Sequence, residues 1–346
     1  MRKIVFFAVF TAVFIFTTGN EMLFAQRGGR AQGTIVVRLA SPLPRESPWG
    51  RTLDRIAAEW SRVTNGQVRV NVLHGGTEGG EGRMHVSLSG NTIQAAVFTT
   101  FGLSQIDPTI MTIGAPFLIR DEEELNVVMN EVQGDLETHF NAGNYFMVAW
   151  SRAGFVNIFS REPVFTPDDL RRQRIASNVD AAELNATFNA MGFQVVPAEM
   201  VDLGPLLATG QVSAMYQNPA GIAAFQLHSH LGNMLTLNIA PVLGGIVINQ
   251  VTWQRIGALN PRFQPELLRV TRQIALEFDQ AMQRTIDDAV ASMSRDGLTV
   301  NRPTAAQEQL WHDEIERATP ILMANTYDPQ LYQRIYNILT RHRAGR

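Results

Sequence analysis

Residues 35–73 read IVVRLASPLPRESPWGRTLDRIAAEWSRVTNGQVRVNVL, and the order of elements in this stretch decides the fold. Ile35–Ala40 is nearly unbroken apolar and β-branched sequence, the pattern of a strand buried on both faces of a parallel sheet. A Pro-rich loop, 41–48, leads into a predicted helix from Trp49 to Val63, where Leu53, Ile56, Ala57 and Trp60 recur at helical spacing before the stop signal Asn65-Gly66. Val68, Val70 and Val72 then alternate with Arg69 and Asn71, a half-buried second strand. Two parallel strands need a crossover between them, so the stretch is a βαβ unit.

The same grammar runs on in both directions. Downstream, a glycine-rich loop at 74–82 precedes a short helix to about Leu88, and Gln94–Phe98 is a third strand ending at Thr99. A helix is predicted around 121–142, a strand over Tyr145–Trp150, and a further strand from Gly154 to Phe159 that crosses into a second lobe. That lobe repeats the alternation: strands at Arg174–Ser177, Phe193–Pro197 and Ser213–Tyr216, with helices between. Asn238–Asn249 returns the chain to the first lobe, and from Pro265 onward the pattern is helical, with one long segment to about Met293. Upstream, Met1-Arg2-Lys3 and a thirteen-residue apolar stretch broken only by Thr11 form the n- and h-regions of a secretory signal over 1–25, with Leu23-Phe24-Ala25 as an imperfect cleavage motif. The apolar run is shorter than the ~20 residues that span a bilayer. The expected product is a soluble, exported, periplasmic protein.

Composition narrows the function. The chain has 346 residues, no cysteine and a formal net charge of −3, with 45% hydrophobic residues. Disulfides, thiol nucleophiles, zinc–thiolate sites and a lipid-modified cysteine are therefore excluded, and no basic face for nucleic acid is foreseen. The loop Gly75-Gly76-Thr77-Glu78-Gly79-Gly80-Glu81-Gly82 matches neither a Walker sequence nor a dinucleotide fingerprint and reads as a turn before a helix. His74, His85, His228 and His230 lack the companions a metal site needs. No G-x-S-x-G or H-E-x-x-H motif occurs. No catalytic constellation, metal or cofactor is expected, which favours binding over catalysis.

The order of these pieces resembles the substrate-binding subunits of tripartite ATP-independent periplasmic (TRAP) transporters over about residues 34–335. The matching pieces are the Pro-rich loop, Thr64-Asn65-Gly66, Gly75-Gly76 with Gly79-Gly80-Glu81, Ala115-Pro116-Phe117-Leu118, Pro167-Asp168-Asp169-Leu170 before Arg174-Ile175, Met191–Pro197, and Leu206–Val212. The resemblance implies a two-lobed α/β periplasmic binding protein fold, with a hinge of crossing strands and a long helix spanning both lobes. It places lobe I at 34–152 plus 241–281 and lobe II at 153–240 plus 282–335. It also implies a small-molecule ligand, membrane permease subunits as partners and, in some relatives, a periplasmic helical-repeat (TPR-type) partner. In the family an arginine on a second-lobe strand grips a ligand carboxylate, and a second one often follows Gly-Phe on a crossing strand. The matching positions here are Ala176 and Val156.

A carboxylate buried without a cation costs several kcal/mol. The expected ligand is therefore small and neutral or hydrophobic, held by Trp49, Phe98, Thr99, Phe117, Trp150, Val156, Ala176, Asn178, Tyr216 and Asn218. The alternatives are an organic acid held by a relocated arginine (Arg83, Arg152 or Arg174), or a ligand-sensing or scaffolding role.

Overall fold

The structure is a computed structural model and describes residues 33–345; the expected signal segment, 1–25, lies outside them. The opening βαβ unit forms as its pattern demands. β1 (Ile35–Ala40) and β2 (Val68–Leu73) pair in parallel over six residues, connected by α1 (Pro48–Val63). Ser47 starts α1 by accepting the Gly50 amide at 3.0 Å, with Pro48 at the first helical position. Leu53, Ile56 and Trp60 supply the helix's buried stripe.

The remaining strands of the first sheet are β3 (Ala95–Thr99), β4 (Tyr145–Phe155) and, after most of the second sheet, β10 (Pro241–Asn249), giving the order β2-β1-β3-β10-β4. β10 is antiparallel to both neighbours. The second sheet collects β5 (Asn157–Ser160), β6 (Arg174–Asn178), β7 (Gln194–Ala198), β8 (Ala214–Gln217), β9 (Asn233–Leu235) and β11 (Thr299–Asn301), in the order β11-β9-β5-β8-β6-β7. β9 and β11 are three-residue strands, too short to carry a period in the sequence.

Helices cover the sheets. On the first lobe lie α2 (Glu81–Ser89), α3 (Thr100–Ser104), α4 (Glu122–Ala142) and α9 (Gln250–Leu259). On the second lie α5 (Pro167–Arg171), α6 (Ala182–Ala190), α7 (Leu203–Ala208) and α8 (Pro219–Ala224). Asp121 caps α4 by accepting from the Glu124 amide at 2.8 Å, and three glutamates fill its first turn, where the helix dipole favours them.

Four segments link the lobes, the fourth being α11 (Ala305–Asn325), described below. The chain leaves β4 of the first sheet and enters β5 of the second with only Val156 between. The return segment lies alongside: Val156 donates its amide to Ala240 O at 2.9 Å, and Ile239 donates to Val156 O at 3.1 Å. The third link is α10 (Phe263–Arg295), 33 residues and therefore about 50 Å long. Its first half packs Leu267, Val270 and Ile274 against Trp60 in one core, and Met293 near its end packs with Leu207 and Val212 in another. Gly154, just before the crossing, has φ +75°, and a Cβ there would lie 2.4 Å from Ile286 of α10. Only glycine fits both demands.

α11 (Ala305–Asn325) starts against α5 and α6 and ends with Ala318 and Leu322 in the first-lobe core. α12 (Pro329–Ala344) packs on α4. Residues 329–335, expected with the second lobe, thus lie on the first, because Ile335, Ile338 and Leu339 bury their apolar face there. None of the helices among the described residues is long and apolar enough to cross a membrane.

Candidate functional site

A cavity of about 370 Å³ opens between the two sheets, beside the crossing strands. All ten residues expected at the ligand site line it. The first lobe brings Trp49 from α1, Phe98 and Thr99 from the C-terminal end of β3, Phe117 from the loop before α4, and Trp150 from β4. The second brings Ala176 and Asn178 from β6, Tyr216 from β8 and Asn218 from the start of α8. Val156 stands at the crossing itself. The C-terminal edge of parallel strands is where such folds gather their ligand groups.

The ten do not offer equal chemistry. Phe98 is 1% exposed and its ring lies against Gly102, so most of it is core. Trp150 donates from Nε1 to Glu137 at 3.0 Å and packs against Phe140, which fixes its indole as a wall. Trp49 tilts against Phe278 at 5.9 Å between ring centres. The Asn218 amide is committed at both ends: it accepts from Gly221 N at 2.5 Å and donates to Ala153 O at 3.0 Å, tying α8 to β4. Asn178 accepts from the Asp180 amide at 2.7 Å. Tyr216 and Ser177 share a hydroxyl–hydroxyl bond of 2.7 Å, and burial pushes the phenol pKa up, so it stays a neutral donor or acceptor.

Phe117 carries strain. Its φ is +60°, in the left-handed region that a bulky residue seldom adopts, and its amide donates to Ile239 O at 2.8 Å. The ring lies tilted against His312, with 4.4 Å between ring centres. The Pro116-Phe117 loop is thereby clamped to the return segment of the hinge.

Sequence reasoning missed the most unusual group in the cavity, Glu81. It is 6% exposed and accepts three hydrogen bonds, from Thr99 N at 2.6 Å, Thr99 Oγ1 at 2.7 Å and Gly102 N at 3.1 Å. Burial pushes its pKa up to about 7; these donors work against the rise, and Asp180 nearby adds to it. The Thr99 hydroxyl is therefore already engaged. Glu81 sat within a glycine run, where an acid reads as loop, and only its contact with a strand 18 residues away marks it as buried.

The three arginines considered as substitutes for the family's cations do not reach the cavity. Arg83 is exposed on α2 and lies over Gly79. Arg152 faces Asp279 of α10 at 3.5 Å, with its own amide donating to the same carboxylate at 3.0 Å. Arg174 shares a strand face with Ala176, but two residues earlier on a strand is ~6.6 Å further from the cleft. There its guanidinium donates to Gly210 O. No Arg, Lys or His lines the cavity among the described residues, and its charged members are Glu81, Glu199 and Glu314. Glu314 is engaged by Arg171 and Arg317. Among the described residues no group of three or more His, Asp or Glu is placed to hold a metal.

A two-lobed α/β chain with four interlobe links and a cavity between its sheets has the architecture of a periplasmic binding protein. This chain belongs to the bacterial extracellular solute-binding proteins, family 7, whose model matches residues 39–325. Among curated relatives it is 23% identical over 210 residues to the 2,3-diketo-L-gulonate-binding periplasmic protein YiaO of Escherichia coli, covering 59% of this chain and 62% of that protein. The match thus spans less than two thirds of the relative's length. Solved structures of TRAP periplasmic solute-binding proteins share the fold. One from Ralstonia eutropha with bound (S)-2-acetolactate superposes with a TM-score of 0.81 at 17% identity, covering 88% of this chain and 99% of the other. Another, from Xanthobacter autotrophicus with bound β-D-galacturonate, gives 0.77 at 15% identity, with 87% and 98% covered. The family model thus makes the chain a solute-binding protein, and the solved TRAP structures share its fold.

Proposed function

We propose that this chain is the extracytoplasmic receptor of a TRAP-type transporter, and that it delivers an organic acid with one carboxyl group and a large apolar body to an integral membrane permease. The observation that carries the receptor reading is the cavity itself, walled by both sheets beside the crossing strands. The three relatives named above have 2,3-diketo-L-gulonate, acetolactate and galacturonate in their descriptions. All three compounds are acids. They favour the organic-acid reading over the neutral, hydrophobic ligand that the missing arginines suggest.

The cavity limits which acid fits. Trp49, Phe101, Met215 and Phe278 give it apolar walls, and no cation lines it. A carboxylate would be held by neutral donors such as the Tyr216–Ser177 hydroxyls and backbone amides. Each further carboxylate without a cation adds several kcal/mol of desolvation, so a dicarboxylate is disfavoured. The apolar body gains about 25 cal/mol per Å² buried. A second reading, a neutral apolar metabolite, rests on the same arginine-free lining.

The test is mass spectrometry of small molecules released by denaturing natively purified protein. Tryptophan-fluorescence titration with monocarboxylates, dicarboxylates and neutral apolar compounds follows, using Trp49 and Trp150 as reporters. A bound monocarboxylate supports the first reading, and a neutral compound at one per chain replaces it with the second. No fluorescence change and no thermal stabilisation across the panel counts against the cavity as a receptor site.

A further inference from the structure

We propose that the glycine-rich loop at 75–82 is the receiving face of a latch between the lobes, and that Asp180 of the second lobe fastens it by capping α2. This rests on the two-lobed receptor reading and concerns the closure of the same cleft.

The first observation is a cap supplied from the other lobe. The N-cap of α2 is Gly80, which has no side chain to accept from the helix's free amides. The acceptor comes from 98 residues away: Asp180, in the turn between β6 and α6, takes the Gly82 amide on Oδ2 at 3.0 Å. A carboxylate at this end of a helix also meets the positive end of its dipole. The capping bond exists only while the two lobes are together.

The second observation explains the glycines. Three of them face three second-lobe residues at separations no side chain allows. A Cβ on Gly76 would come within 2.9 Å of Val201, one on Gly80 within 2.1 Å of the Glu199 carboxylate, and one on Gly82 within 2.6 Å of Asp180. The loop therefore presents bare backbone where the segment 199–201 and Asp180 come down on it. Gly79, by contrast, faces only Arg83 of its own lobe. The loop that reads in the sequence as a turn before a helix is a seat for protein.

The third observation is that the latch is weak by construction. Asp180 comes down beside Glu81 of the other lobe, and its charge adds to the burial that raises the Glu81 pKa. One capping bond opposed by like charges suits a cleft that must also open.

The absence of native cysteine allows a direct test. Spin labels at Val86→Cys on α2 and Ala186→Cys on α6, both exposed positions, report the lobe separation in the mature chain without any ligand. The expected result is a short-distance population that falls on the order of fivefold in Asp180→Ala, the shift for losing one capping bond. Gly80→Ala, which pushes Glu199 away, gives the same loss, and Gly134→Ala on α4, with open space around it, gives none. If the native chain has no short-distance population, or if folded Asp180→Ala keeps it intact, the latch is overturned. Because lobe separation is read without ligand, this outcome is independent of whether any organic acid binds.

Discussion

Glu81 and Thr99 are joined twice: the carboxylate accepts the threonine amide at 2.6 Å and its hydroxyl at 2.7 Å, across the floor of the cleft. This pairing fixes the end of β3 to the start of α2, so a ligand group and the closing loop share one anchor. It also stores a pH dependence. A pKa raised from 4.5 to about 7 means the folded state holds a proton that the unfolded state releases. The stability is present in full below about 4.5 and is lost as pH rises to about 7, a change of about 3 kcal/mol. Glu81→Gln should flatten the urea-denaturation midpoint over that window; an unchanged slope with pH would mean Glu81 is ionised in the native protein.

A second buried acid gives the opposite use of a partner. Burial pushes Asp279 up to about 6, against the Arg152 and Ser151 donors that hold its charged form. Arg152→Met should destabilise the protein by about 3 kcal/mol at pH 8, where the abandoned carboxylate is charged. The loss should shrink at pH 5, where it is protonated. An equal loss at both pH values would assign the effect to packing of the arginine stem.

Gly154→Ala should cost about 1–3 kcal/mol, since φ is +75° and the new methyl would sit 2.4 Å from Ile286. Adding Ile286→Ala should recover the steric part and leave the backbone part. Full recovery in chemical denaturation would show that φ at this position relaxes freely.

Ala176 is 5% exposed and stands where the family's carboxylate-binding arginine is expected. Ala176→Arg should raise affinity for small carboxylates by at least about tenfold, the contribution of one charge-assisted pair. Calorimetry against a panel of organic acids checks this, and no gain would mean that the position does not face the ligand.

The local elements were legible because each is a short-range property. The period of Leu53, Ile56 and Trp60 wrote α1, the alternation of Val68, Val70 and Val72 wrote β2, and Asp121 with its glutamates wrote the start of α4. β9 and β11 were not legible, because three residues form a strand only when a neighbour pairs with them. Residues 329–335 were expected on the other lobe for a related reason: an amphipathic face shows that it will be buried but not against which partner.

The sequence by itself determined the class of the protein: parallel α/β units in a given order, a chain without cysteine, and Ala176 and Val156 where cations would bind a carboxylate. Only the tertiary structure decided what lines the cleft. It took Arg83, Arg152 and Arg174 out of the cavity, buried Glu81 in it, and set the glycine loop against Asp180 and Glu199. Those outcomes depend on distances between residues tens to hundreds of positions apart. A periodic pattern fixes which face of an element is buried, whereas the field at a site is set by whichever charges the fold brings within a few ångströms.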